Sequence, residues 1–150
     1  METAEARSIA YLAHHRQTTR HGDAFTEHVE RVAAAVPPEA RAIAYLHDVL
    51  EHTDVGLDEL VGRGLSELEL EALELLTVQP GESFELHALR VAHGPGPAGL
   101  LARTVRVADL DDHLRSRRVP GAPPYGWARQ HVVVARDRRD GVQLRLLAAS

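Results

Sequence analysis

The segment Ala44-Tyr45-Leu46-His47-Asp48-Val49-Leu50-Glu51-His52-Thr53 sets two imidazoles and two carboxylates against Ile43, Leu46, Val49 and Leu50. Such groups in apolar surroundings must find partners or cost several kcal/mol on burial, roughly as unpaired polar groups do. A divalent cation is one such partner. In a helix, His47 and Glu51 are four apart, as are Asp48 and His52, so each pair shares a side and neighbours the other.

Two further stretches can add to the same centre. Arg106, Asp109 and His113 follow an i, i+3, i+7 spacing, which lines a base, an acid and an imidazole along one helical stripe, with Val105, Val107, Ala108 and Leu110 around the acid. His28, beside Val29 and Val32, can bring another ligand. His28, His47, Asp48 and Asp109 offer two nitrogens and two carboxylates, a set that suits Mn²⁺, Fe²⁺ or Zn²⁺ better than a soft, thiolate-seeking metal. A metal so held lowers the pKa of water and polarises a phosphoryl group, so hydrolysis of a phosphoester or pyrophosphate is the reaction class it serves.

The elements that must position these residues read as almost wholly helical. Residues 4–17 place Ile9, Leu12 and Ala13 at helical spacing, and 26–36 do the same with Val29, Val32, Ala33 and Val36; the polar loop Thr18-Thr19-Arg20-His21-Gly22-Asp23 separates them. Pro37-Pro38 opens a third helix, since proline is tolerated in a first turn, and this helix carries His47-Asp48 and stops near Thr53-Asp54. Leu57 to Val61 reads as a short helix ended by Gly62 and Gly64, and Ser66-Glu67-Leu68-Glu69 is a capping-box start for a helix through Leu76 whose acidic residues face solvent. Pro80-Gly81 and Gly94-Pro95-Gly96-Pro97 bracket a helix over 84–92 and precede a longer one over 98–115. A Pro/Gly-rich connection over 116–126 lets 127–147 pack back on the bundle. Val132-Val133-Val134 suits a strand, but one strand alone has nothing to pair with, so a helix is expected there. The fold expected is an all-α, single-domain bundle over residues 1–150, its core spanning 4–115.

One domain is what 150 residues accommodate, and a hydrophobic fraction of 44% suffices for a real core. Arginine supplies all 17 basic residues against 22 acidic ones, and the net charge of −5 gives no basic field for nucleic acid or an anionic membrane. The absence of cysteine excludes disulfides, thiolate nucleophiles and Cys-ligated zinc together. No apolar run approaches the ~20 residues of a membrane-spanning helix, and Met1-Glu2-Thr3-Ala4-Glu5 lacks the basic start of a signal peptide, so a cytoplasmic location is expected.

Taken in order, Arg20-His21-Gly22-Asp23-Ala24-Phe25-Thr26-Glu27-His28, Leu46-His47-Asp48-Val49-Leu50-Glu51-His52-Thr53, Leu73-Glu74-Leu75-Leu76-Thr77, Gly81-Glu82-Ser83-Phe84 and Val105-Arg106-Val107-Ala108-Asp109-Leu110 resemble the HD-domain phosphohydrolases. The branch they resemble is the RelA/SpoT-type (p)ppGpp hydrolase domain with its small stand-alone relatives. The likeness covers most of residues 8–115. It implies an HD-type helical bundle that holds one Mn²⁺ through His28, His47, Asp48 and Asp109, takes a guanosine 3′-diphosphate as substrate, and activates water through the metal and Glu51.

The departures from the family bear on catalysis and on substrate. Aspartate usually follows the glutamate, and here His52 stands instead; an imidazole in place of a fixed anion beside the nucleophile retunes proton transfer or ends it. Arg106 replaces a customary lysine and can still reach a phosphate, His113 replaces an asparagine, and Phe25 a tyrosine. The basic pair that packs on guanine and ribose is here Arg20-His21, which keeps stacking ability with less charge. The resemblance thus points to a metal-dependent nucleotide phosphohydrolase in which Glu51 and His52 handle water, and Arg20, His21, Arg106 and His113 face the substrate. The alternative that His52 and His113 raise is a catalytically silent module binding a nucleotide or a partner protein. His14, His15, His87, His93 and His131 fit no ligand spacing and are expected on the surface. Tyr125 and Trp127 read as packing anchors, and Arg115, Arg117 and Arg118 complement the negative pole of the long helix.

Overall fold

Helical periodicity becomes helix wherever the computed structural model describes the chain, which is residues 1–20, 22–116 and 120–135. The helices are α1 (Thr3–Ala13), α2 (Phe25–Ala34), α3 (Arg41–Leu46), α4 (Val49–His52), α5 (Leu57–Gly62), α6 (Glu67–Leu76), α7 (Phe84–His93) and α8 (Gly96–Arg115), with a 3-10 turn at Pro38–Ala40 ahead of α3. Residues 125–135 form a further helix, α9. Among the described residues there is no strand, only one antiparallel bridge between Thr18 and Ala24. The all-α expectation therefore holds, and Val132-Val133-Val134 is helical; residues 136–147 of the expected last helix lie outside the described part. No helix in the described residues is long and apolar enough to cross a membrane.

The bundle is organised around α3, whose Ala42, Ile43, Ala44, Tyr45 and Leu46 are all buried. Exposed only at Arg41, α3 is covered by α1 and α2, while α8 packs on α2, α6 and α7. A second apolar cluster joins Ala88 and Ala92 of α7, Leu110 of α8, and Ala128 and Val132 of α9, which docks α9 beside the end of α8. Between α7 and α8 the backbones nearly touch: a Cβ on Gly99 would lie 2.1 Å from the Gly94 carbonyl oxygen, so this crossing requires glycine. The buried Arg103 guanidinium donates to that same carbonyl at 2.6 Å.

Two element boundaries differ from the helical reading in ways that matter for the site. The first helix ends at Ala13 instead of reaching Gln17, because the chain turns through Arg16 with φ 67°. That turn swings His14 inward to stack on Phe25 at 4.3 Å. The expected third helix is broken in two at His47-Asp48, where Asp48 has φ −106° and ψ −2°. In a continuous helix consecutive side chains diverge by about 100°; the break instead lets His47 and Asp48 face one centre.

Other expectations need smaller correction. The capping box at Ser66 and Glu69 is present, but Glu69 does not simply face solvent, since it accepts from the Met1 ammonium at 2.6 Å. His14 and His87 are fully buried rather than on the surface. Arg117 and Arg118 lie outside the described residues.

Candidate metal centre

Three segments deliver the site. His28 comes from the first turn of α2, His47 and Asp48 from the break between α3 and α4, and Asp109 from the second half of α8. His28, His47 and Asp109 are buried and Asp48 half-buried. Each imidazole is held by its Nδ1: that of His47 lies 2.7 Å from the Ala44 carbonyl, and that of His28 lies 2.8 Å from Asp112 Oδ2. Backbone carbonyls accept only, so His47 donates through Nδ1 and turns Nε2 inward, where it can carry a proton or bind a cation.

The inward-facing atoms converge. His47 Nε2 lies 3.3 Å from Asp48 Oδ2 and 3.7 Å from Asp109 Oδ1, and His28 Nε2 lies 3.7 and 3.5 Å from the same two oxygens. His28 Nε2, His47 Nε2 and Asp109 Oδ1 are nonetheless buried without a hydrogen-bond partner. Three orphaned polar atoms around one point are costly unless something satisfies them together. A divalent cation does that, and donor atoms of His28, His47 and Asp48, like those of His28, Asp109 and His113, lie within 4.8 Å of one another. The cluster could therefore hold a metal ion. Nitrogen and carboxylate donors are also the chemistry that first-row dications take.

The electrostatics agree. Burial disfavours the charged form of His28, yet its hydrogen bond to Asp112 and the carboxylates of Asp48 and Asp109 override this and raise its pKa to about 10. Burial likewise opposes ionisation of Asp48, but the facing His47 and His28 hold it well below the usual carboxylate range. Asp109 is lowered too: desolvation is outweighed by His113, His47 and Arg106. The site is thus a concentration of negative charge that draws cations, whether protons or a metal. Asp112 is neutralised by Arg31, which donates through Nε at 2.7 Å and Nη2 at 3.0 Å.

A cavity of about 600 Å³ opens over the cluster. Glu51 and His52, expected to handle water, line it, as do Arg20 and Arg106. Glu51 is exposed by area but sits in the concave wall, where loss of hydration and the charge of Asp48 push its pKa up. Arg106 donates to Asp109 Oδ2 at 2.9 Å and lies over the Phe84 ring at 5.5 Å. It thus braces Asp109 while it borders the cavity. His21 lies outside the described residues. His113, expected to face substrate, also lines the cavity, and it adjoins the donor cluster, its Nε2 3.1 Å from Asp109 Oδ1.

Several contributors were not apparent in the sequence. Asp112 is not singled out there; its position three residues beyond Asp109 is the signal that places it on the same side of α8. Tyr125, read as a packing anchor, borders the cavity, stacks flat on His113 at 4.5 Å and meets Phe84 edge-on at 5.6 Å. Gln17 links two walls by accepting at Oε1 from His14 Nδ1 and donating to the His52 carbonyl, both at 2.8 Å. Comparison with protein-family models finds no match for the chain, and comparison with curated proteins finds none.

Proposed function

We propose that the protein is a metal-dependent phosphohydrolase of the HD-domain type, acting on a phosphorylated nucleotide, with a (p)ppGpp-like 3′-diphosphate as the substrate that its sequence resemblance favours. The observation that carries this reading is the convergence of His28 Nε2, His47 Nε2 and Asp109 Oδ1, buried and unpartnered, beneath an open cavity. His28, His47, Asp48 and Asp109 would hold the ion, Mn²⁺ in the family resembled. When bound, a divalent ion supplies Lewis-acid chemistry that polarises a phosphoryl group and acidifies water.

The chain's own residues do the rest. Glu51, with its raised pKa, accepts the proton of the attacking water from the cavity wall. Arg20, also on the cavity lining, offers a guanidinium to phosphate oxygens, which it suits by its fork of donors. Arg106 holds Asp109 in place and adds positive charge where the phosphate would lie. Phe25, Phe84 and Tyr125 supply flat apolar surface for a base. The decisive assay is hydrolysis of ppGpp and a nucleotide panel by purified protein loaded with Mn²⁺, Fe²⁺ or Zn²⁺. Turnover that disappears in Asp48→Ala supports the reading, and a metal-loaded protein inert toward the whole panel refutes it.

A second reading is a nucleotide-binding module without turnover. His52 favours it, because its ring is packed edge-on against Phe25 at 5.7 Å where the family has a carboxylate. Nucleotide-induced thermal stabilisation without hydrolysis, reversed to hydrolysis by His52→Asp, distinguishes this reading.

A further inference from the structure

The helix that carries Glu51 and His52 cannot hold its own end. α4 spans only Val49–His52, and the last carbonyls of any helix have no partner within it. Two of them are satisfied by side chains. Thr53 Oγ1 donates to the Val49 carbonyl at 2.7 Å, and Gln17 Nε2, 35 residues away in sequence, donates to the His52 carbonyl at 2.8 Å. A carbonyl only accepts, so the Gln17 amide has one orientation, with Oε1 turned to His14 Nδ1 at 2.8 Å; His14 therefore donates through Nδ1.

The anchor behind this link is fixed. His14 is fully buried and stacked on Phe25 at 4.3 Å, and Phe25 in turn meets the His52 ring edge-on at 5.7 Å. Burial lowers the His14 pKa, which keeps the ring neutral, and its Nε2 has no hydrogen-bond partner among the described residues, so Gln17 is the side-chain partner that orients it. The Gln17 backbone is tied on both sides: its N–H donates to the His14 carbonyl and its own carbonyl accepts from the Phe25 N–H, each at 3.0 Å. His52 is thus referenced to His14 twice, through its carbonyl by Gln17 and through its ring by Phe25.

Resting on the phosphohydrolase reading above, we infer that Gln17 is a positioning residue for water activation: its bond to the His52 carbonyl sets the pose of α4, and so of Glu51 and His52 in the cavity. A base displaced by about 1 Å costs up to about 100-fold in rate, even when the change lies away from the chemistry. Ion binding is spared, because His28, His47 and Asp109 are held by Asp112, the Ala44 carbonyl and Arg106, none of them through Gln17.

The test uses the full chain loaded with Mn²⁺, with ppGpp and the nucleotide panel as substrates. Two substitutions are compared: Gln17→Met, which removes both amide bonds at similar length, and Gln17→Glu, which keeps an acceptor for His14 but, ionised, cannot donate to the carbonyl. Far-ultraviolet circular dichroism establishes that each variant is folded, and either one alone suffices for the carbonyl bond. Labelling histidine carbonyls with ¹³C and threonine nitrogen with ¹⁵N isolates the His52–Thr53 peptide, the only His–Thr step in the chain. The His52 ring signal is assigned by its loss in His52→Asp. Both variants are expected to shift the His52 carbonyl resonance upfield, to move the ring signal, and to lower kcat by about 10–100-fold. In Gln17→Met, which adds no charge to the cavity, KM and Mn²⁺ affinity keep their wild-type values. An unmoved carbonyl resonance, a wild-type kcat, or a loss in Gln17→Met carried by KM or Mn²⁺ affinity overturns the inference. Recovery in Gln17→Glu alone also overturns it, since the role is then to hold His14. A wild type that binds Mn²⁺ but turns over no nucleotide overturns the phosphohydrolase reading instead, and the two His52 signals then decide by themselves whether Gln17 sets the pose of α4.

Discussion

The Asp112 carboxylate grips His28 Nδ1 at 2.8 Å and, through its other contacts, Arg31, so that an acid outside the donor cluster decides which nitrogen of His28 faces into it. A carboxylate behind a ligating imidazole fixes the ring and raises its basicity. Asp112→Ala is expected to weaken binding of a divalent ion by about 10–100-fold, while Arg31, half-exposed, rehydrates. Calorimetric titration of wild type and variant measures the ratio.

Ion binding should also stabilise the fold. At a free concentration of 100 times Kd the gain is about 2.7 kcal/mol, and a chelator removes it. Thermal melts with and without Co²⁺ check this; Asp48→Ala should show no difference between the two conditions.

Glu51→Gln should lower turnover by about 10²–10⁴-fold, the usual worth of a general base, and leave ion-induced stabilisation intact. In the ion-free protein burial and Asp48 push the Glu51 pKa up, and a bound dication pulls it back down, so the acid limb of the pH–rate profile marks the balance of the two. Activity falls as pH drops through that limb, since the base becomes protonated. A profile flat through this region, or full turnover in the variant, assigns the proton transfer elsewhere.

His87 supplies a pH dependence of stability outside the donor cluster. Burial, with Arg106 next, lowers its pKa to about 4, while Nε2 contacts the Leu75 carbonyl at 3.2 Å. The unfolded chain binds the proton more tightly, so the stability that neutral His87 allows is complete above about pH 6.5 and is lost as pH falls toward 4, by roughly 3 kcal/mol in all. His87→Leu should remove this part of the acid sensitivity, as urea midpoints at pH 7 and pH 4.5 would show. The Leu75 carbonyl keeps a partner in Arg90 at 3.1 Å.

Gly99→Ala should destabilise by about 1–3 kcal/mol, the usual cost of overpacking. The obstacle is the Gly94 backbone rather than a side chain that could swing away. A lowered Tm with an unchanged far-ultraviolet spectrum is the expected result.

The sequence carried much of this, unevenly. Helical spacing and the capping box of Ser66 located the helices because α3, α6 and α8 bury what their periodicity says they should. His28, His47, Asp48 and Asp109 could be singled out because acids and imidazoles among aliphatics demand a partner. The helix break at His47-Asp48 could not, since Leu46 to Leu50 reads as uninterrupted helix and only tertiary packing bends it. Nor could the burial of His14 and His87, whose neighbours come from Phe25 and Leu75, distant in sequence. Asp112, Tyr125 and Gln17 act through contacts across elements, and no local pattern records those.

The donors come from positions 28, 47–48 and 109, on opposite sides of most of the chain. In polymer language, a cation among them is a removable cross-link that closes two long loops at once. Loop-closure entropy grows only slowly with length, so tying these distant positions costs little more than tying near ones, and the ion's hold on the fold is set by how tightly the folded chain binds it. Loading or stripping a single ion would then set how long the bundle survives under proteases or mild heat, and metal supply would govern the protein's lifetime as well as its chemistry.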